Sequence, residues 1–115
     1  MAITRLNPGP HFSQAVVHGD TVYVAGQVAD DTSADVPGQT RQILDKIDRL
    51  LAEAGTDKSR LLMANVWLAD IGQFEAMNRA WDAWVDPDNK PARATVEARL
   101  ARPEYLVEIA VIAAR

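Results

Sequence analysis

The chain contains no cysteine, so disulfides, thiolate nucleophiles and thiolate metal sites are excluded outright. Histidine is scarce as well. His11 and His18, seven positions apart, are the only two, and they make no recognisable ligand set. No metal and no cofactor is expected. Cations are in deficit, with 12 Lys and Arg against 16 Asp and Glu and a net charge of −4. A broad positive face for nucleic acid is therefore not expected. No apolar run approaches the ~20 residues of a membrane span, and no basic-then-apolar leader follows Met1. The expectation is a cytoplasmic protein with no membrane partner. There is no glycine-rich phosphate loop, and Ser13 has no evident His/Asp partner in a triad order.

What the chain does have is the balance of an ordinary soluble globular domain, 48% hydrophobic and 24% charged over 115 residues. That length fits one domain, residues 1–115, with a sizeable core but no room for a second. Ile3 to Leu6 is a short strand candidate, closed by the turn-rich Asn7-Pro8-Gly9-Pro10. The valine-rich arms Ser13 to Val17 and Thr21 to Ala25 flank a Gly19-Asp20 tip, a hairpin signal. Gly26, directly after the second arm, marks a bulge or a close backbone approach. Asp35 reads as an N-cap with Pro37 in the first turn, and Val36, Ile43, Leu44, Ile47, Leu50, Leu51 and Ala54 keep helical spacing up to Gly55. From Leu61 to Leu68 two alternating sets, both largely apolar, indicate a strand covered on both faces. Asp70 with Gln73 three residues on forms a capping-box pattern, opening a second helix through Phe74, Met77, Trp81 and Trp84 that Pro87 ends.

The element order is strand, strand, strand, helix, strand, helix, strand, strand. The fold class is α+β, with two helices packed on one face of a mixed sheet. Such a chain has no third layer for the sheet's other face, which keeps Val, Leu, Trp and Met. Oligomerisation would cover it.

The last quarter carries the chemistry. The alternating Pro91-Ala92-Arg93-Ala94-Thr95-Val96-Glu97 holds one arginine near its start, and Leu106-Val107-Glu108-Ile109-Ala110 holds one carboxylate in an apolar strand. Joined by about ten residues including Pro103, the two strands are expected to pair as an antiparallel hairpin and bring Arg93 and Glu108 towards one another. On residue type alone Arg93 reads first as a solvated or salt-bridged surface cation and only second as a ligand clamp. Glu108, among Leu106, Val107, Ile109, Val111 and Ile112, is paired, protonated or functional, because an uncompensated charge in a buried strand is costly. A guanidinium grips a carboxylate through two parallel hydrogen bonds, and a carboxylate can orient and deprotonate water. Together they suit a small anionic substrate and an acid/base reaction. Glu97 and Arg99 read as surface or interface charges, and Trp67, Trp81 and Trp84 as packing residues.

Taken together, Gly9-Pro10 with Phe12-Ser13-Gln14-Ala15, Val22-Tyr23-Val24-Ala25-Gly26-Gln27, Asp35 through Gln39-Thr40-Arg41-Gln42, Phe74 to Trp84 with Asn78, Pro91-Ala92-Arg93 and Val107-Glu108-Ile109 resemble the RidA/YjgF family nearly end to end. The resemblance implies a chorismate-mutase-like fold, a homotrimer with an active site in each inter-subunit cleft, and hydrolytic deamination of enamines and imines without a cofactor. It carries the family's carboxylate-binding arginine onto Arg93 and its water-activating glutamate onto Glu108. Phe12, Gly26 and Thr95 are then expected to complete the pocket for a small carboxylate substrate.

Three positions depart from the family pattern. Many members have a tyrosine where His11-Phe12 stands, often a cysteine where Thr95 stands, and frequently a serine at Ala25. Phe12 keeps the aromatic surface and loses the hydroxyl, which bears on substrate range more than on the reaction. Some relatives are described as ribonucleases or translation inhibitors, and others as chaperone-like or ligand-sensing proteins. A carboxylate-binding module using Arg93 without turnover is the strongest alternative, and it would tolerate loss of Glu108.

Overall fold

A computed structural model describes residues Met1–Arg115. The elements run β1 (Ile3–Pro8), β2 (Ser13–His18), β3 (Thr21–Gln27), α1 (Val36–Glu53), β4 (Leu61–Leu68), α2 (Phe74–Trp84), β5 (Ala92–Glu97) and β6 (Val107–Ala114), with single 3-10 turns before β4 and α2. The six strands form one sheet in the order β1-β2-β3-β6-β4-β5. All neighbours are antiparallel except β4 and β5, which are parallel.

Local chemistry sets most of these boundaries. Gly19, at φ 61°, takes the left-handed conformation that the two-residue β2–β3 turn requires. The carboxylate of Asp35 accepts the Gly38 N–H, and Pro37 sits where an unpaired N–H would otherwise be, so α1 starts there. Gly55, at φ 84°, follows its last turn. The capping box expected at Asp70 and Gln73 does not form. Asp70 instead accepts from Gly72 N two residues on, a 3-10 turn spans Ile71–Gln73, and α2 begins at Phe74 without a side-chain cap. Glu97 Oε1 accepts the Ile71 N–H from across the sheet edge and anchors that turn.

The core lies between the sheet and the two helices. Ile43, Leu44, Ile47 and Leu51 of α1 and Met77 of α2 meet Val22, Val66, Leu68, Val107, Ile109 and Val111 of the strands, all essentially inaccessible. The buried Gln39 side chain ties α1 to the segment before β6: its amide donates to Glu104 O and its carbonyl accepts from Leu106 N. Along its short axis the molecule measures 20 Å, the depth of one sheet plus one helix layer at about 10 Å each. The second sheet face is open, and Ile3 (50% exposed), Val96 (49%) and Tyr23 (47%) are apolar residues left exposed on it. No helix is long and apolar enough to cross a membrane.

The expected β5–β6 hairpin is absent. β4 lies between the two strands, paired in parallel with β5 and antiparallel with β6. A strand, a helix and a strand in succession form a crossover unit whose strands pair side by side in parallel, and here β4, α2 and β5 do so. The loop after β5 then carries the chain past β4 to insert β6 in the centre.

Replacing Ile47, fully buried at the centre of α1, by alanine should destabilise the fold by ~2–5 kcal/mol. Urea unfolding should show the lowered midpoint at unchanged slope.

Candidate functional site

Strand register decides which of the expected residues can meet. Arg93 pairs with Ala64 and Glu108 with Trp67 on β4, and residues three apart on a strand face opposite ways. Arg93 accordingly points to the helix layer and Glu108 to the open face. The structure does not bring the two together within one chain, contrary to the hairpin expectation.

Arg93 is held by three side chains of α2. Its Nη2 donates to Asn78 Oδ1 at 2.7 Å, and its guanidinium carbon lies 5.2 Å from the Trp81 ring centroid and 5.8 Å from that of Phe74. Two ring faces and one amide fix the plane of the fork, while the only ion pair in the molecule is Lys46–Asp30. Arg93 thus has no carboxylate partner within salt-bridge distance. Partial burial lowers its pKa, opposed by the charge of Asp82. The cation is desolvated and positioned without being neutralised. Thr95, two residues on, shares its face and is half-buried.

Glu108 is half-buried, makes no side-chain hydrogen bond or ion pair, and has its pKa raised by desolvation alone. Its position depends on Gly26. The β3–β6 register shifts between Val24 and Gln27, and the displaced backbone opens space for the carboxylate. A Cβ at Gly26 would collide with Glu108 Oε2. Gly26 and Glu108 are therefore brought together. Trp67 and the Ala98–Ala101 segment line the recess at Glu108, whose volume is about 260 Å³. That is below the usual ~300–1,000 Å³ of a small-molecule site, and the largest depression in the chain, under the Ala98–Tyr105 loop, does not include Glu108. Phe12 lies in the β1–β2 connection, 57% exposed.

The roles of Asn78, Phe74 and Trp81 were not assigned from sequence. The signal was present: positions 74, 78 and 81 share one face of a helix, next to the strand that carries the arginine. Which side chain they served depended on the β4–β5 pairing.

An open sheet that offers a desolvated, unpaired carboxylate on one face and an aromatic-clamped arginine on the other, each exposed enough to be reached, defines a class: a small α+β protein with its two chemically distinctive side chains on opposite faces of one sheet. The family model described as Endoribonuclease L-PSP matches residues 2–115. A RutC family protein of Haemophilus ducreyi is 50% identical over 112 residues, covering 97% of this chain and 96% of that one. The RutC family protein YoaB of Escherichia coli K12 is 43% identical with 99% of each chain covered. Among solved structures, a member of the YjgF protein family from Neisseria meningitidis superposes with a TM-score of 0.97 at 43% identity, covering 100% of this chain and 96% of that one. The chain belongs to the RidA/YjgF (RutC) family.

Gly26→Ala should displace the Glu108 carboxylate while leaving the fold intact, because the nearest atoms to the new Cβ belong to the far end of a flexible side chain. In any assay that depends on Glu108 it should approach the phenotype of Glu108→Ala, with an unchanged circular dichroism spectrum as the control.

Proposed function

We propose that this protein is a homotrimeric enamine/imine deaminase that hydrolyses 2-imino acids to 2-keto acids and ammonia at inter-subunit clefts. The observation that carries the reading is Glu108, a half-buried carboxylate with no partner and a raised pKa, seated against the backbone of Gly26. Such a group is costly to maintain in a sheet unless it acts. The Glu108 recess is too small alone, and Arg93 lies on the other face. Both facts support a site completed by a neighbouring subunit, and the open apolar face supplies the surface through which subunits would meet.

In this reading Arg93 binds the substrate carboxylate through the guanidinium edge that Asn78 leaves free, and Phe12 and Thr95 contribute pocket surface. Glu108 takes a proton from water as the water oxygen bonds to the iminium carbon. Glu108 returns that proton to the amino group of the resulting carbinolamine, and as the C–N bond breaks to release ammonia and the C=O bond forms, the hydroxyl proton passes to Glu108. For an enamine substrate the protonated carboxyl first delivers a proton to carbon. A raised pKa suits a group that must be both acid and base near neutrality. No cofactor is required by this scheme. Net charge −4 favours a small-molecule substrate over RNA.

Imines generated in solution by an amino-acid oxidase provide the test. Keto-acid release should be accelerated by the native protein, reduced by at least about a hundredfold in Glu108→Gln with binding of a keto-acid product retained, and lost together with that binding in Arg93→Ala. Binding that survives while turnover is absent in the native protein would favour a carboxylate-binding module instead.

The pH dependence has a definite sign. Glu108 must be ionised to activate water, so the acid limb of the rate profile should lie above the ordinary carboxylate range and vanish in Glu108→Gln. For stability the same shift acts in the opposite sense: the folded chain binds this proton more readily than the unfolded one, so stability falls as pH rises from the ordinary value through the raised one. Glu108→Gln should therefore be at least as stable as the native protein at neutral pH, and the difference should fade below the ordinary carboxylate range in thermal unfolding.

A further inference from the structure

The outer surface of the helix layer carries a second concave site, remote from Glu108 and on α1 and α2 rather than the open sheet face. A groove of about 420 Å³ between the two helices is bordered by Arg41, Lys58 and Arg79, with Leu44, Ala80 and Trp84 among its apolar lining. None of the three cations has an acidic partner within ion-pair distance, although the chain is acidic overall. The one carboxylate lining the groove is Asp45. Asp48 is engaged elsewhere, accepting the Trp84 indole N–H at 2.9 Å, which locks the ring as a wall, and Lys58 Nζ lies 5.2 Å from that ring's centroid.

Acidic residues do stand at helical spacing from the two arginines, Asp45 four after Arg41 and Glu75 and Asp82 four before and three after Arg79, yet none of them is within ion-pair distance, which leaves three cations free around a fixed indole. The volume lies within the range of small-molecule sites. A bare inorganic ion would leave the apolar floor wet, and a wholly apolar ligand would leave the cations unused. We propose that this groove binds a small phosphate monoester with a flat, apolar body, its dianionic head held by Arg41, Arg79 and Lys58 and its body against Trp84. Charge and shape both select it: a phosphomonoester carries about −1.5 to −2 near neutral pH, an anion that three cations without ion-pair partners can hold, and guanidinium forks suit its oxygens. The site is independent of the deaminase reading and uses none of its residues.

Phenyl phosphate and inorganic phosphate are suitable probes on the full-length protein, with the Trp84 indole N–H resonance, assigned through Trp84→Phe, as the reporter at constant ionic strength. Phenyl phosphate should shift that resonance saturably, and Arg41→Gln combined with Arg79→Gln should weaken its binding at least about tenfold. Inorganic phosphate should bind more weakly than the ester. The exchanged arginines are exposed, so the variant should unfold at the native temperature. Absence of a saturable shift, equal affinity in the double variant, equal affinity for inorganic phosphate, or displacement of the ester by a short polyglutamate at lower concentration would each overturn the proposal. Imine hydrolysis, measured in parallel, should be unaffected by the double variant, so failure of one reading is separable from failure of the other.

Discussion

The architecture depends on the handedness of two crossovers. α1 links β3 to β4 and α2 links β4 to β5, and in the sheet order both steps move in the same direction. β3 and β4 run parallel because each is antiparallel to the β6 between them. Connections between parallel strands are right-handed almost without exception, so two steps in one direction put both helices on the same side. The other side is bare for that reason. The exposed apolar face, the 20 Å thickness and the absence of a closed pocket around Glu108 are all consequences of one stereochemical rule.

The division of chemistry follows. A strand between two others passes alternate residues to alternate faces, and β4 separates the arginine from the carboxylate by being both a spacer and a register guide. The arginine receives what a helix layer can give, two aromatic faces and an amide. The carboxylate receives what a bulge can give, backbone without a side chain. Arg93 is oriented by the groups packed around it, and Glu108 has no hydrogen-bond or ion-pair partner.

Much of this was legible in the residues. Gly19-Asp20 between valine-rich arms announced its turn, Asp35 and Pro37 their helix start, and Gly26 its bulge, since each depends on local φ/ψ and hydrogen-bonding chemistry. Arg93 and Glu108 stood out because each broke an apolar or alternating pattern. The strand partners did not follow from local pattern: two alternating segments in succession look like a hairpin whether or not another strand intervenes. The strand-helix-strand order of residues 61–97 held the better clue. At Asp70 two capping geometries compete for the same carboxylate, and the shorter reach to Gly72 prevailed over the pattern with Gln73. Side chains whose partners lie on another element, such as Asn78, have meaning only once that pairing is known.

The central position of β6 has a consequence for how the chain comes to be folded at all. The strand flanked by both β3 and β4 is made after both of them, and Arg115 beyond it is bonded through its N–H to Asp20 O and through its guanidinium to Gly19 O in the β2–β3 turn. Until residues 107–114 leave the ribosome, two apolar strand edges have nothing to pair with, so the sheet cannot grow outward from a finished N-terminal half. Closure of the sheet must wait for β6, and until then the nascent polypeptide carries its stickiest edges open, a period in which chaperone protection matters most.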